Sequence, residues 1–256
     1  MKTLSAWLNR IREYSEGIGY CCDSCGAELF HYPKIRICER CDSEIFKNDE
    51  RVCEKCGRNT VAEGVCTNCK RAMPHFTRAF SPFIYEGRAA SLINILKNGN
   101  PRLAHFFGKH MADCAVKGLR EETFYYTGKE TVLLVPVPIT PASKIERGYN
   151  QSQLLCKVIL ERLTAMGVSA EMRESVLKKH RETARQKDLG STGRMKNVAG
   201  AYRVAERAIC RDRIILLVDD ILTTGATGNE CAIKLLSAGA KAVFFITACS
   251  LKELKT

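Results

Sequence analysis

Two acids followed by a run of small and hydroxyl-bearing residues form the first constellation able to do chemistry: Asp219 and Asp220, then Thr223, Thr224, Gly225, Ala226 and Thr227. Paired carboxylates suit sugar hydroxyls or Mg2+, which both favour hard, anionic oxygen partners. A tight loop of small side chains suits a phosphate, because nothing bulky keeps the anion from the backbone N–H groups. Acids on one side and an anion loop on the other describe a site for a phosphorylated sugar. An ordinary strand-end turn does not account for two acids set directly before a hydroxyl-rich loop.

The second constellation is sulfur. Of fourteen cysteines, eight fall in four Cys-x-x-Cys pairs: Cys22 and Cys25, Cys38 and Cys41, Cys53 and Cys56, Cys66 and Cys69. This is the ligand spacing of zinc sites. Each half of the repeat opens on Cys-x-x-Cys-Gly, and a glycine there lets the knuckle turn take a positive φ. The sequential arrangement gives one Zn2+ to Cys22, Cys25, Cys38 and Cys41 and another to Cys53, Cys56, Cys66 and Cys69. A cross-braced pairing, first pair with third, is compatible with the same spacing. A segment this short and poor in apolar residues needs the metal for its folding energy. Four thiolates leave zinc no open position, so the role is structural rather than catalytic. Nothing like a thioredoxin unit surrounds the pairs, which argues against redox dithiols. Cys21, Cys114, Cys156, Cys210, Cys231 and Cys249 are scattered and read as small buried side chains or free thiols.

The elements that must hold these residues can be traced outward. Ile214 to Val218 is apolar, β-branched and too short for a helix, so it reads as a strand buried on both faces of a parallel sheet that ends at the two acids. A helical pattern from Asn229 to Ser237 stops at Gly239, and Thr227 with Glu230 has capping-box spacing. Ala242 to Thr247 is a second strand, completing a βαβ unit with the positive end of a helix dipole beside the loop. Thr131 to Val137 is a further strand, followed by a polar loop over residues 139–152 and a helix carrying Leu154, Leu155, Val158 and Ile159. Ligands sit at such carboxyl ends in open α/β sheets. Helices are also expected over Ala89 to Lys97 and Leu103 to Leu119. Leu4, Trp7, Leu8 and Ile11 have the spacing of a short amphipathic helix within residues 1–20.

The net charge of +12 is unevenly spread: residues 1–76 carry 12 bases against 11 acids, so nearly all the excess lies beyond them. A polyanionic ligand or nucleic acid accounts for a basic surface there, as does a plain need for solubility. Residues 173–207 alone hold ten bases against four acids. No G-x-x-x-x-G-K-[ST] or G-x-G-x-x-G occurs, which excludes a Walker A loop and a dinucleotide fingerprint. The longest apolar runs fall well short of the ~18 residues of a membrane span, and Met1 to Arg12 lacks the apolar core of a signal peptide. The expectation is a cytoplasmic chain with no membrane insertion.

Val218 to Thr227 closely resembles the phosphoribosyl-pyrophosphate signature of the type I phosphoribosyltransferases. The resemblance implies that Asp219 and Asp220 contact the ribose hydroxyls in the catalytic site, and that Thr223, Thr224, Gly225, Ala226 and Thr227 wrap the 5′-phosphate. Pro136-Val137-Pro138 with Arg147-Gly148-Tyr149-Asn150-Gln151, the Leu96-Lys97-Asn98-Gly99 stretch and the cysteine repeat narrow the likeness to the ComF family of double-zinc-ribbon, phosphoribosyltransferase-like proteins. In that family the loop after the strand ending near Val137 corresponds to the pyrophosphate loop. Ile139 and Thr140 would then offer backbone groups to pyrophosphate, while Lys144 and Arg147 supply charge. Many relatives carry more arginines where Ile145 and Glu146 stand here. Arg185, Gln186, Lys187 and Arg194 match the mobile loop that folds over the substrate, where charge can neutralise departing pyrophosphate.

The expected fold is therefore α/β: a type I phosphoribosyltransferase domain, with a mainly parallel sheet and helices on both faces, over residues 77–256. A double zinc ribbon over 21–76 and an amphipathic helix over 1–20 precede it. The implied cofactors are two structural Zn2+, and Mg2+ with phosphoribosyl pyrophosphate. Two functional readings stand side by side. One is a transferase moving ribosyl phosphate to an unidentified acceptor, linked to DNA uptake in competent bacteria or to nucleotide metabolism. The other is a single-stranded DNA-binding competence factor without turnover, meeting a competence helicase or DNA-processing proteins. A zinc-dependent assembly module is a third class, and oligomerisation is open.

Overall fold

Five consecutive apolar residues cannot all face one side of a sheet, and the strand they begin is covered on both. The computed structural model describes residues 21–29, 34–48, 51–61, 63–181 and 198–253. Short helices Glu39–Ser43 (α1) and Thr67–Arg71 (α2) lead into strands Arg78–Phe80 (β1) and Phe83–Ile84 (β2). Helices Gly87–Lys97 (α3) and Leu103–Glu121 (α4) follow, then strand Val132–Pro136 (β3) and helices Pro141–Arg147 (α5) and Gln151–Ala165 (α6). Strands Ala170–Met172 (β4), Leu177–Lys179 (β5) and Tyr202–Val204 (β6) precede helix Arg207–Cys210 (α7). Strand Ile214–Leu222 (β7), helix Ala226–Ser237 (α8) and strand Ala242–Ser250 (β8) complete the series.

The main sheet runs β1-β8-β7-β3-β4, with β2 also paired to β8, and every one of these pairings is parallel. Residues along each strand alternate between two cores, as the period of two demands. Leu134, Leu216, Val218, Phe244 and Ile246 pack with α3, α4 and α6 on one face. Leu133, Ile215, Leu217, Val243 and Phe245 pack on the other with Cys231, Ala232 and Leu235 of α8, with Phe76, and with Cys53, Cys56, Cys66 and Cys69. Each large side chain so buried contributes roughly 1.5–3 kcal/mol. The second cysteine group is thus part of the core beneath the sheet. The antiparallel β5-β6 pair contributes Leu177 and Tyr202 to the same face.

The chain leaves the sheet in opposite directions from two neighbouring strands. From β3 it passes through α5 and α6 to β4 on one side; from β7 it passes through α8 to β8 on the other. β3 and β7 lie side by side, with Pro136 opposite Val218. Strand order reverses at the carboxyl ends of these two strands, the place where open α/β sheets form their ligand crevice.

Three local expectations are corrected. The β7 strand does not stop at the acids but runs on through Leu222. The helix after it begins at Ala226, with Gly225 as N-cap at φ 79° and no side-chain cap, so Thr227 and Glu230 do not form a capping box. Glu230 instead accepts from the Gly200 N–H at 2.9 Å and pairs with Lys234. The stretch expected to be a polar loop over 139–152 contains α5, capped by the Thr140 hydroxyl, opened by Pro141 and ended by Gly148 at φ 78°. Residues 1–20, with their expected helix, lie outside the described residues, as do Arg185, Gln186, Lys187 and Arg194.

Candidate functional site

At the crevice, Asp219 and Asp220 stand on β7, both only partly exposed. The Ser152 hydroxyl donates to Asp219 Oδ1 at 2.9 Å, and the Asp220 N–H donates to the same oxygen at 2.9 Å. Lys97 Nζ lies 3.0 Å from Asp220 Oδ2. Burial pushes the Asp219 carboxyl up to about 7; the neighbouring Asp220 charge adds to the rise, while Ser152 and Lys97 draw it down. Burial works against the Lys97 ammonium, yet Asp220 outweighs it and holds its pKa above the ordinary value. The result is an Asp219 carboxyl poised near neutrality beside Asp220 and a fixed cation.

Lys97 was read from the sequence only within the Leu96–Gly99 stretch and not as a site residue, and its position is built from three elements. It ends α3, whose final carbonyls are met by side chains from the other strand-end segment. The Tyr149 hydroxyl donates to Leu96 O, and Gln151 Nε2 donates to Lys97 O at 3.4 Å. Asn150 caps α6 by accepting from the Ser152 N–H at 3.0 Å and donates to Val137 O at 3.0 Å. The Arg-Gly-Tyr-Asn-Gln stretch therefore acts as a hinge block that fastens β3, α3 and α6 around Asp219.

Gly225 in the left-handed region turns Thr223–Thr227 into the start of α8, whose first-turn N–H groups have no partners within the helix. Thr224 Oγ1 accepts from the Ala226 N–H at 3.3 Å. Glycine is needed at 225 for its φ. Gly228 is needed for space, since a Cβ there would stand 2.3 Å from the Phe245 ring. Across the crevice Ile139 is half-buried and Thr140 is buried, its hydroxyl 3.3 Å from the Ser143 N–H. Lys144 and Arg147 are exposed on α5, and Arg147 Nη1 donates to Gln151 Oε1 at 3.4 Å.

The sulfur sites resolve the open question of pairing. The ligand atoms of Cys22, Cys25, Cys38 and Cys41 lie within 4.8 Å of one another, and so do those of Cys53, Cys56, Cys66 and Cys69. A tetrahedral thiolate shell with ~2.3 Å bonds has edges near 3.8 Å, and Cys25–Cys38 and Cys56–Cys66 stand at 3.8 and 3.6 Å. Backbone N–H groups aim at the sulfurs: Cys38 at Cys22 (3.3 Å), Cys56 at Cys53 (3.4 Å) and Cys66 at Cys53 (3.3 Å). Gly26 and Gly57 adopt φ of 74° and 65°, as the knuckle requires. Four sulfurs so close cannot all ionise without a cation. Hydrogen bonds from Cys56 and Cys69 hold Cys53 well below the thiol range, while those from Cys53 push Cys56 up to about 12 and Cys69 higher still. A divalent ion removes that conflict, so both sets fit a metal such as zinc. The other six cysteines are free thiols, and Cys156, Cys210, Cys231 and Cys249 are buried. Among the described residues no helix is long and apolar enough to cross a membrane.

No family model matches the chain. Among curated proteins it is 28% identical over 213 residues to the DNA utilization protein YhgH of Escherichia coli strain K12, covering 81% of this chain and 87% of that one. It is 25% identical over 224 residues to competence protein F of Haemophilus influenzae, covering 87% and 93%. It is 27% identical over 209 residues to competence protein ComFC of Bacillus subtilis strain 168, covering 81% and 80%.

Proposed function

We propose, for this member of the ComF family, that the crevice between β3 and β7 binds phosphoribosyl pyrophosphate with Mg2+ and that the chain serves DNA utilization, as its relatives' names suggest for them. The observation that carries the reading is the joining of two adjacent acids, held by Ser152 and Lys97, to a glycine-started helix within nine residues at one strand end. Asp219 and Asp220 hold the ribose hydroxyls. The N–H groups of Thr223 to Thr227 and the α8 dipole hold the 5′-phosphate. The backbone at Ile139 and Thr140 faces the pyrophosphate, with Lys144 and Arg147 adding positive charge. Mg2+ bound with the donor supplies charge neutralisation for its phosphates. Loss of pyrophosphate leaves positive charge on the anomeric carbon, so catalysis rests on holding the donor and stabilising the leaving group, with no general base required. Arg185, Gln186, Lys187 and Arg194 close over the donor in this reading. The setting is cytoplasmic, where thiolate zinc sites persist.

The relatives named for competence and the basic excess beyond residue 76 favour a second reading, a single-stranded DNA-binding factor in which the donor site regulates rather than turns over. Replacing Asp219 and Asp220 together by Asn tests the first reading. Donor binding is lost while zinc content stays near two per chain; unchanged donor affinity refutes the assignment. If DNA binding matters, Lys187 and Arg194 replaced by Ala weaken it and flatten its salt dependence.

A further inference from the structure

Arg58 is 4% exposed, a burial that charged side chains reach only when paired. It belongs to the second knuckle: the Cys53 N–H donates to Arg58 O at 2.8 Å, and the Gly57 N–H donates to Cys53 O at 2.8 Å. Its side chain leaves the knuckle and crosses to the crevice. Nε donates to Cys56 Sγ at 3.2 Å, and Nη2 donates to Thr223 O at 2.9 Å. One rigid, planar group therefore touches a metal-ligating sulfur and the first residue of the anion loop.

This contact fixes the direction of a peptide. In a trans peptide the C=O and the following N–H point opposite ways. With Thr223 O drawn to Arg58, the Thr224 N–H is aimed away from the knuckle, on the side where the loop turns into α8. The base of the arginine cannot drift to compensate. A Cβ at Gly57 would stand 2.3 Å from Ala79 O, the Ala79 N–H donates to Lys55 O at 2.9 Å, and Asn48 Nδ2 donates to Gly57 O at 2.6 Å.

The guanidinium also needs its sulfurs. Its charge is permanent and its side chain is buried, so it depends on the acceptors that meet it, Cys56 Sγ on one edge and Thr223 O on the other. A metal ion holds those sulfurs ionised and in place. Without the ion nothing pins Cys56 Sγ, and the arginine loses the fixed acceptor that holds it across to Thr223 O. Among the described residues no side chain joins a sulfur of the first tetrad to the 223–227 loop; Arg40, which bonds Cys25, stays within its own module on α1. The first tetrad's polar links among the described residues run to Arg88, Asn100 and Arg102 in and around α3 and α4, through Ser24 and Asp23.

We infer that Arg58 is a positioning residue through which a metal ion in the second tetrad, and not one in the first, sets the geometry of the anion loop. The inference rests on reading Thr223 to Thr227 as the phosphate loop, and its test separates the two. Hydrogen exchange is followed by mass spectrometry on the zinc-loaded full chain without donor, in wild type and Arg58→Lys, with zinc measured alongside. Lysine keeps the charge but cannot bridge sulfur and carbonyl together. The expected result is two zinc ions retained and exchange of the Ala226 and Asn229 amides, which are bonded to Thr224 Oγ1 and Gly225 O, faster by roughly tenfold or more, the scale of one charge-assisted hydrogen bond. Unchanged exchange with both metals bound overturns the inference. Should Arg58→Lys shed metal, Cys25→Ser, which keeps only the second site, carries the test. Its loop is protected until a chelator removes the remaining ion and is then exposed; protection that outlasts the second metal overturns the inference equally. Because exchange needs no donor, a wild type that fails to bind phosphoribosyl pyrophosphate sinks the phosphate reading while leaving the coupling intact.

Discussion

Asp219 is the residue at which pH enters. Its carboxyl sits near 7 because burial and Asp220 disfavour its charge, against the ordinary 3.8. A folded-state pKa raised above the unfolded one means that the folded chain holds the proton longer. The associated stability is therefore full below about pH 4 and is lost as pH rises through 7. Asp219→Asn removes that loss. Its unfolding free energy from urea titration should match wild type near pH 4 and exceed it at pH 8 by about 1–2 kcal/mol, a discounted value for a partly solvated group. In the proposed reading donor binding runs the other way, since ionised carboxylates would grip the ribose hydroxyls and Mg2+. Affinity for the donor should rise between pH 6 and 8 in wild type. Lys97 lowers Asp219, so Lys97→Met should move that midpoint toward alkali by about one unit, read by titration at several pH values. The acids and their loop were legible because they are contiguous. Ser152 and Arg58 were not, because they arrive from 67 and 165 positions away, and nothing local in a chain marks such a meeting.

At the scale of elements, the start of α8 decides the shape of the anion loop. The capping-box spacing of Thr227 and Glu230 is a real local signal, but Gly225 in the left-handed region begins the helix earlier and leaves Glu230 free to fasten Gly200. Gly225→Ala should destabilise by about 1–2 kcal/mol through backbone strain alone. Gly228→Ala should destabilise by about 1–3 kcal/mol, because a Cβ 2.3 Å from Phe245 forces the helix off the sheet. Thermal unfolding of both variants checks this, at about 2–4 °C per kcal/mol for a chain of this size. The strands and the long helices were readable from apolar period and length. The α5 helix was hidden in a stretch without an apolar face, although Thr140, Pro141 and Gly148 are the residues that start and stop it.

Across the whole molecule, the two cysteine tetrads are unequal. Cysteine spacing exposed both tetrads, yet it gave no sign that the second lies against the sheet, because the side chains that bury it, such as Phe76 and Phe245, fall outside the cysteine segment. Cys66→Ser should accordingly lower the melting temperature far more than Cys25→Ser, since it opens a core shared with β7 and α8. A comparable drop in both would mean that the second tetrad is peripheral. The organisation as a whole places at the reversal of strand order an acid pair, a helix start and Arg58 reaching over from the second cysteine tetrad. The measurement that tests this most directly is calorimetric titration of the zinc-loaded chain with phosphoribosyl pyrophosphate, with and without Mg2+, repeated with a single-stranded DNA oligomer present. The account predicts saturable, Mg2+-dependent heat at about micromolar affinity. No donor heat, alongside tight binding of the oligomer, would contradict it and leave a nucleic-acid-binding protein on a transferase fold.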